Sequence, residues 1–318
     1  VTCIKDGFYD SGLFIESNDE KILNLNDCEV TTDNRVNEVF SITGEVDVLL
    51  TQFSFAAWKG GKENKRWRDE AAAEKINTMR LQIRKFNPKV VIPFASFVYF
   101  SNVENFYLND AVNKPNDLIK KLGNDSQNLL IMAPFDKLDE NGLSPTEEAL
   151  DFWERKYADI KPVNQYELNQ MEQLRDSFDQ YCGRIHQNNN MNLVRILRTL
   201  SPIKVFKPCL VHLNDLDVTL KFDYVTKSFE KTHDEAQVSM RSESLNFIFK
   251  NSFGFDTLTV NGCFEEVAKN GFVSATKTLA IENLNNLGIK IELKTLFNFS
   301  IIKLFLTRLY RVARKLDA

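Results

Sequence analysis

The fold of this chain is decided by the stretch Gly12-Leu-Phe-Ile-Glu-Ser-Asn-Asp-Glu-Lys-Ile-Leu-Asn-Leu-Asn-Asp-Cys28, followed shortly by Asp47-Val-Leu-Leu-Thr-Gln-Phe-Ser-Phe-Ala-Ala-Trp58. In the first stretch, two apolar runs at residues 13–15 and 22–25 flank the polar residues 17–20. Short apolar runs on either side of a polar turn are typical of a β-hairpin. The first stretch therefore predicts two short antiparallel strands.

Polar side chains follow two of the predicted strands at the points where the strands end. Asp27 comes just after the second hairpin strand, and residues 46–50 form a further apolar run that leads into a loop at 52–58. Ligands and reacting groups in layered α/β folds lie in loops just beyond strand ends. The sequence therefore predicts a site that contains Asp27 and the loop 52–58.

A long helix separates this loop from another strand. Apolar residues recur at intervals of three and four from about residue 65 to residue 86, with no proline before Pro88, and a buried-strand pattern follows at 89–97. A strand-helix-strand order predicts a crossover between neighbouring parallel strands. Upstream, residues 31–37 are interpreted as a polar connection and residues 38–41 as a return to the sheet.

The order of these elements resembles a known family. A strand ending in Asn26-Asp27-Cys28, the run from Asp47 to Phe53, a long helix and then Val90-Val-Ile-Pro-Phe-Ala-Ser-Phe97 are similar to the second half of a metallo-β-lactamase-fold domain. Within that superfamily the similarity is closest to the hydrolase-like domain of CMP-N-acetylneuraminate hydroxylase and its bacterial relatives. The similarity covers residues 12–113.

The resemblance implies a fold, an activity and a cofactor. The implied fold is α/β, an αββα sandwich of which this chain holds a part. The implied activity is metal-dependent hydrolysis of an ester, amide or phosphate-containing small molecule. The implied cofactor is a divalent metal, zinc with iron or manganese as alternatives, and Asp27 matches the aspartate that ligates it.

The histidines of this chain depart from the family pattern. The family carries a His-x-His-x-Asp-His loop before the matching aspartate, whereas the three histidines here are His186, His212 and His233, all outside the similar region. A zinc site needs three or four ligands, so Asp27 alone cannot form one. Two interpretations stay open. Because the chain starts at Val1 and is almost at once in a strand, we expect that the histidine-bearing half lies outside this sequence; alternatively, the protein is a metal-free binding or scaffolding protein of the same fold.

Residues around the predicted strand ends are candidates for contact with a substrate, and no catalytic residue is assigned. The segment 101–105 lies about where relatives place a final histidine, and Glu104 in it could ligate a metal or act as a general base. The alternative, that Glu104 is a surface acid, stays open. The substrate-binding candidates are Gln52, Phe53, Ser54, Trp58, Asn102 and Glu104.

The remainder of the chain predicts two further parts after a first domain at 1–140. Helices expected at 146–157 and 167–187 make residues 141–202 a helical segment. Residues 203–318 are interpreted as a small α+β domain, weakly similar to a sterol-carrier domain, with period-two strands at 216–222, 238–249 and 257–261. A basic amphipathic helix at 293–316 ends the chain, and we expect it to contact a second subunit or a membrane surface.

Composition limits the classes of function. With 318 residues, of which 43% are hydrophobic and 26% charged, the chain is long enough for two globular domains. Its formal net charge of −4 does not favour nucleic acid as a partner, so a small-molecule substrate is the expected partner. Its five cysteines form no Cys-x-x-Cys pair, which argues against a disulfide framework or a zinc ribbon and predicts a cytoplasmic protein.

Overall fold

The computed structural model describes residues 1–7, 10–18, 20–138, 146–201 and 204–296. Contacts divide the chain into two units. Unit 1 comprises Val1–Lys59, Lys65–Ser101 and Leu108–Pro162, and unit 2 comprises Gly60–Asn64, Asn102–Tyr107 and the residues from Val163 onward. Each unit has helices and a sheet of five described strands, so the predicted mixed α/β class is confirmed.

The sheet of unit 1 follows the order of its strands along the chain. The first three strands are antiparallel, and the third, fourth and fifth are parallel. The predicted hairpin is confirmed, because Phe14 lies directly opposite Leu23. The five strands are β1 (Thr2–Asp6), β2 (Asp10–Ser17), β3 (Glu20–Asn24), β4 (Val48–Gln52) and β5 (Val90–Phe94).

The helices of unit 1 include one that was predicted from the sequence and one that was not. The predicted long helix is confirmed, and it joins the adjacent parallel strands β4 and β5 as expected. Residues 33–41, in contrast, were wrongly assigned to a connection and a strand, because Thr32 accepts a hydrogen bond from the Arg35 amide and caps a helix there. The α-helices are α1 (Asp33–Thr43), α2 (Lys65–Phe86), α3 (Pro115–Leu122) and α4 (Thr146–Ala158).

The two faces of the unit 1 sheet differ in burial. One row of paired residues, Phe14, Leu23, Leu49 and Val91, is 0–7% exposed. The first three of these lie in one core cluster with residues of α1 and α2. The opposite face, called the second face below, is apolar but only half-buried. Its apolar residues are Leu13, Ile15, Ile22, Val48, Leu50, Val90 and Ile92, and the polar residues Asn24 and Gln52 lie on the same face.

The sheet of unit 2 has the strand order β10-β9-β6-β7-β8. Its strands are β6 (Cys209–Leu213), β7 (Val218–Asp223), β8 (Ser228–Thr232), β9 (Val238–Met240) and β10 (Glu265–Glu266). Its helices are α5 (Met171–Asn188), α6 (Met191–Leu200), α7 (Ser242–Lys250), α8 (Gly254–Asn261), α9 (Gly271–Asn286) and α10 (Leu293–Leu296). The helices predicted at 146–157 and 167–187 are confirmed as α4 and α5, and the strand predicted at 216–222 as β7.

The strand predicted at 238–249 is confirmed at Val238–Met240, which is β9, but its second half and the strand predicted at 257–261 are helices instead. Residues 245–249 lie in α7 and residues 257–261 lie in α8. Aromatic and β-branched residues suit strands, but Leu245, Ile248 and Phe249 are buried at the three- and four-residue spacing of one helix face. Gly262 ends α8 with a left-handed backbone at φ 72°.

One close approach fixes where α9 lies on the unit 2 sheet. A Cβ atom built on Gly271, the first residue of α9, would lie 1.9 Å from the carbonyl oxygen of Gln237. Real Cβ atoms essentially never come within 3.0 Å of another heavy atom. Glycine at position 271 therefore lets the start of α9 rest directly on the backbone next to β9.

Several expectations about the chain's organisation stay predictions. The division at residues 140 and 202 and the sterol-carrier similarity are among them. Most of the helix predicted at 293–316 lies outside the described residues, apart from α10. Within the described ranges, no helix has both the length and the apolar character needed to cross a bilayer.

Candidate functional site

The carboxyl ends of β3, β4 and β5 meet at one edge of the unit 1 sheet, because these strands are parallel. Asp27 lies just beyond β3 and is exposed, and Gln52 is the last residue of β4. Neighbouring strands lie about 4.8 Å apart. The turn that presents Asp27 is built by Asn26, which has a left-handed φ of 50° and donates its amide to Asn24 Oδ1 at 2.9 Å.

Lys75 of α2 adds a cation to this edge. Its Nζ donates a hydrogen bond to Gln52 Oε1. Burial lowers the pKa of Lys75 below its usual value, and the nearby carboxylates of Glu74, Glu29 and Asp27 offset part of this effect. Asp27, Gln52 and Lys75, called the carboxyl-edge cluster below, thus combine an acceptor, an amide and a partly desolvated ammonium group.

Further acidic groups surround Asp27. Asp6 is buried, accepts the Glu29 amide at 2.6 Å and lies 3.4 Å from Arg35 Nη2. The pKa of Asp10 is raised by burial first and then by the charges of Asp27 and Asp6. This shift indicates that the carboxylates of Asp27 and Asp6 lie close enough to act on Asp10 at this edge.

Cys28 is a poor candidate for a reactive group or a metal ligand here. The thiol is 7% exposed, and burial with the neighbouring carboxylates raises its pKa to about 12. Only the thiolate is a nucleophile or a ligand, so Cys28 stays protonated and inert at neutral pH.

The other loop candidates have buried side chains. Phe53, Ser54 and Trp58 are 0%, 1% and 4% exposed. Asn113 fastens the loop, because its side-chain amide donates to the carbonyls of Phe53 and Ala72 and its backbone amide donates to Ser54 Oγ at 2.9 Å. These contacts show a scaffolding role, whereas contact of the three side chains with a substrate stays a prediction.

Asn102 and Glu104 belong to unit 2, whereas Asp27 and the loop 52–58 belong to unit 1. Asn102 and Glu104 line a cavity of about 320 Å³ in unit 2. Glu104 Oε2 lies 3.4 Å from Arg241 Nε, and the Arg241 guanidinium lies 4.0 Å from the centre of the Tyr166 ring. Burial raises the pKa of Glu104, and Arg241 offsets part of that rise. This cavity is the environment of both candidates in unit 2.

Asn102 contacts Cys263 in that cavity. Its side-chain amide donates to Cys263 Sγ at 3.3 Å, and the Asn105 amide donates to the same sulfur at 3.4 Å. Burial raises the pKa of Cys263 to about 11. The sulfur is therefore a neutral acceptor that holds the segment 102–105 in place.

Three residues of these surroundings were not predicted from the sequence: Lys75, Arg241 and Cys263. Lys75 lies next to Ile76, a buried residue on the apolar stripe that predicted α2. Its place at the border of this stripe is the sequence signal that could have indicated a partly buried lysine. Arg241 and Cys263 lie far along the chain from Glu104 and Asn102, so no local pattern connects them.

The described residues do not fit the metal site that the family resemblance implies. Among residues 1–7, 10–18, 20–138, 146–201 and 204–296, no group of three or more His, Cys, Asp or Glu side chains could hold a metal ion. Two histidines make structural contacts in unit 2: His186 Nε2 lies 2.6 Å from the Tyr224 carbonyl, and His212 Nδ1 lies 3.2 Å from Thr219 Oγ1. Among the described residues, Asp27 therefore lacks the three or four suitably placed donors of a tetrahedral site.

Comparison with known proteins adds no identity to this geometry. No family model, no curated protein and no solved structure matches the chain. The fold and the site define a mixed α/β protein with a polar cluster at the carboxyl edge of a partly parallel sheet.

Proposed function

We propose that the sheet of unit 1 is one of the two sheets of a metallo-β-lactamase-type αββα sandwich. The support is the difference between its faces: Leu49 on the helix-covered face is 0% exposed, whereas Leu50 and Ile92 on the second face are half-buried. An apolar sheet face is stable when another layer covers it, and two sheets pack face to face about 10 Å apart. A sheet packed on the second face would complete the sandwich.

The function that we propose for this domain is binding and hydrolysis of a small ester, amide or phosphate-containing molecule at its carboxyl edge. The single observation that carries the proposal is the carboxyl-edge cluster: Asp27 is exposed beside β3, and Lys75 donates to Gln52 at the end of β4. Open α/β sheets bind ligands outside the carboxyl ends of their strands. Asp27 would accept hydrogen bonds from the ligand, and the Lys75 ammonium would hold an anionic or carbonyl oxygen.

Hydrolysis by metallo-β-lactamase-type enzymes depends on a divalent metal, and this chain would contribute Asp27 as one ligand of that metal. Because the described residues hold no group of three donors, the other ligands would have to come from outside them. Binding is the step that these residues support directly.

The second candidate is a metal-free binding protein of the same fold. It is favoured by the same lack of a donor group among the described residues and by the location of all three histidines in unit 2. Asp27 and Lys75 would then recognise a ligand without activating water.

Elemental analysis of the purified full-length protein separates the two candidates. The variant Asp27→Ala is compared with Asp151→Ala, which removes an exposed aspartate from α4 of the same unit. Near-stoichiometric zinc, iron or manganese that falls in Asp27→Ala and persists in Asp151→Ala supports the hydrolase. Metal that stays in both variants contradicts the role of Asp27, and a lack of metal in all three proteins leaves the binding protein as the function.

A further inference from the structure

A cavity of about 510 Å³ opens in unit 1 between α4 and the loop that follows β5. This volume lies within the range of about 300–1,000 Å³ that is typical of small-molecule pockets. Its walls are unusually rich in aromatic rings, and we call it the aromatic cleft. The rings are Phe97, Tyr99, Phe152, Trp153 and Tyr157.

Three rings of the aromatic cleft, Phe97, Trp153 and Tyr157, are held by stacking or hydrogen bonds. Phe97 stacks on Trp153 with ring centres 4.1 Å apart and an angle of 18° between the rings. The indole Nε1 of Trp153 donates to the Met132 carbonyl at 2.8 Å, and the hydroxyl of Tyr157 lies 3.4 Å from the Val98 carbonyl. A ligand would therefore meet a preorganised surface, which lowers the entropic cost of binding.

Core packing explains the buried edges of these rings but not the exposed ones. Tyr99 is 52% exposed, and Phe152 and Trp153 are only half-buried although they lie side by side with ring centres 5.1 Å apart. Aromatic side chains bury a large apolar area when a flat partner covers them. The exposed ring surface in the cleft is thus available for such a partner.

The charged groups that line the cleft carry a positive excess. Lys156 and Lys161 contribute two ammonium groups and Asp159 contributes one carboxylate. Lys161 lies 4.0 Å from Asp159 with both side chains 86% exposed, whereas the Lys156 ammonium lies 5.5 Å from the centre of the Phe152 ring. Lys156 therefore places a positive charge next to the aromatic wall.

We propose that the aromatic cleft binds a small molecule that combines a flat ring with an anionic group. The ring packs against the exposed surfaces of Tyr99 and Trp153, and the anionic group pairs with Lys156. Apolar and aromatic walls with a few polar groups at one end are the usual composition of a ligand pocket. The cleft stands on its own residues and does not depend on the carboxyl-edge cluster.

Three probes test the charge and the ring separately. Phenylacetate has a ring and a negative charge, phenethylamine has a ring and a positive charge, and acetate has the charge alone. Each is titrated into the 318-residue protein while the indole N–H resonance of Trp153 is followed by NMR. Phenylacetate is expected to shift this resonance and to bind about five-fold tighter than phenethylamine, the size expected of one exposed ion pair. Acetate is expected to leave the resonance unchanged.

Two variants assign the effect to the cleft. Tyr99→Ala removes a largely exposed ring and is expected to weaken the binding of both phenylacetate and phenethylamine. Lys156→Gln is expected to make the two affinities equal and to leave the binding of the ring intact. Phe253→Ala, which removes a 52% exposed ring in unit 2, serves as the control and keeps wild-type affinity. Phenethylamine binding as tightly as phenylacetate, or wild-type affinity in Tyr99→Ala, would overturn the proposal.

Discussion

Arg68 and Asp110 form a bidentate ion pair in which the guanidinium is 1% exposed. Nε lies 2.8 Å from Oδ1, and Nη2 lies 2.8 Å from Oδ2. The pair joins α2 to the segment before α3, next to the Asn113 that fastens the loop after β4. A charge this deeply buried is tolerated when its partner neutralises it.

Removing the carboxylate of this pair is expected to be costly. Breaking a buried pair costs about 3–5 kcal/mol, and the lower value of about 3 kcal/mol applies to Asp110→Ala because the Asp110 side chain is 33% exposed. Urea denaturation measures the loss as a drop in the free energy of unfolding. Asp69→Ala breaks the exposed pair of Lys65 and Asp69 as the control, and we expect it to lose about 0.5 kcal/mol. Equal losses would contradict the structural importance of Arg68 and Asp110.

The two faces of the unit 1 sheet are expected to respond differently to truncation. Leu49→Ala should cost about 3 kcal/mol of unfolding free energy, because Leu49 is fully buried against the helices. Leu50→Ala should cost about 1 kcal/mol in the 318-residue chain, because Leu50 lies half-buried on the second face. The two variants are compared by urea denaturation, and equal losses would mean that another layer already covers the second face in solution.

Asp27 is expected to raise the pKa of Lys75 in part, together with the larger effects of Glu74 and Glu29. The Asp27 carboxylate favours the charged ammonium, so Asp27→Asn should lower the pKa of Lys75 further below its usual value. A pH titration of the Lys75 side-chain NMR signal measures the shift. Asp151→Asn is the control, and a shift of the same size in that variant would show that the effect is not specific to Asp27.

The lowered pKa of Lys75 also predicts how stability depends on pH. Between the folded pKa and the unfolded value of 10.5, the unfolded chain binds more protons, so the contribution of Lys75 to stability increases as pH rises through that window. Lys75→Met should remove this rise. The pKa of Lys89 is raised by its hydrogen bond to Asp47, so Lys89→Met should remove a contribution of the opposite sign above pH 10.5. Denaturation midpoints measured across this range check both signs.

Two buried tyrosine hydroxyls in unit 2 predict a gain of stability. Tyr181 and Tyr224 are 1% and 0% exposed, and neither hydroxyl has a hydrogen-bond partner among the residues that the structure describes. Because an unsatisfied buried hydroxyl is unfavourable, Tyr224→Phe should stabilise the protein by about 1 kcal/mol in urea denaturation. Tyr157→Phe, whose hydroxyl lies 3.4 Å from the Val98 carbonyl, is expected to give no such gain. A clear loss in Tyr224→Phe would contradict the prediction.

Local patterns in the sequence predicted much of unit 1. The β2–β3 hairpin and α2 follow from alternation and from three- to four-residue spacing, because each buries one face against a single layer. The sequence also carries capping signals for α1, because Thr32 precedes the helix and Gly44 follows it. In α7 and α8, tertiary packing overrides the strand preference of aromatic and β-branched residues.

Residues of the candidate sites could be predicted only where their place next to a single strand or helix was enough to indicate them. Asp27 could be located from its place after a strand, because parallel strands end at one edge. The neighbours of Glu104 could not be predicted from the sequence. Arg241, the residue just before α7, comes close to Glu104 because of how α7 packs, and no spacing in the sequence indicates this contact. Phe53 and Trp58 were selected from their place in the loop after β4, and no local pattern in the sequence shows that their side chains are buried.

Gly271 gives α9 a fixed contact distance from the backbone of Gln237. If every amino acid were tried at position 271 in a deep mutational scan, even alanine would force the helix away from the sheet or distort its first turn. Position 271 should therefore tolerate fewer replacements than the exposed positions of the same helix. The missing side chain of Gly271 sets the distance between α9 and the backbone of Gln237, and any side chain at this position would have to displace the whole helix.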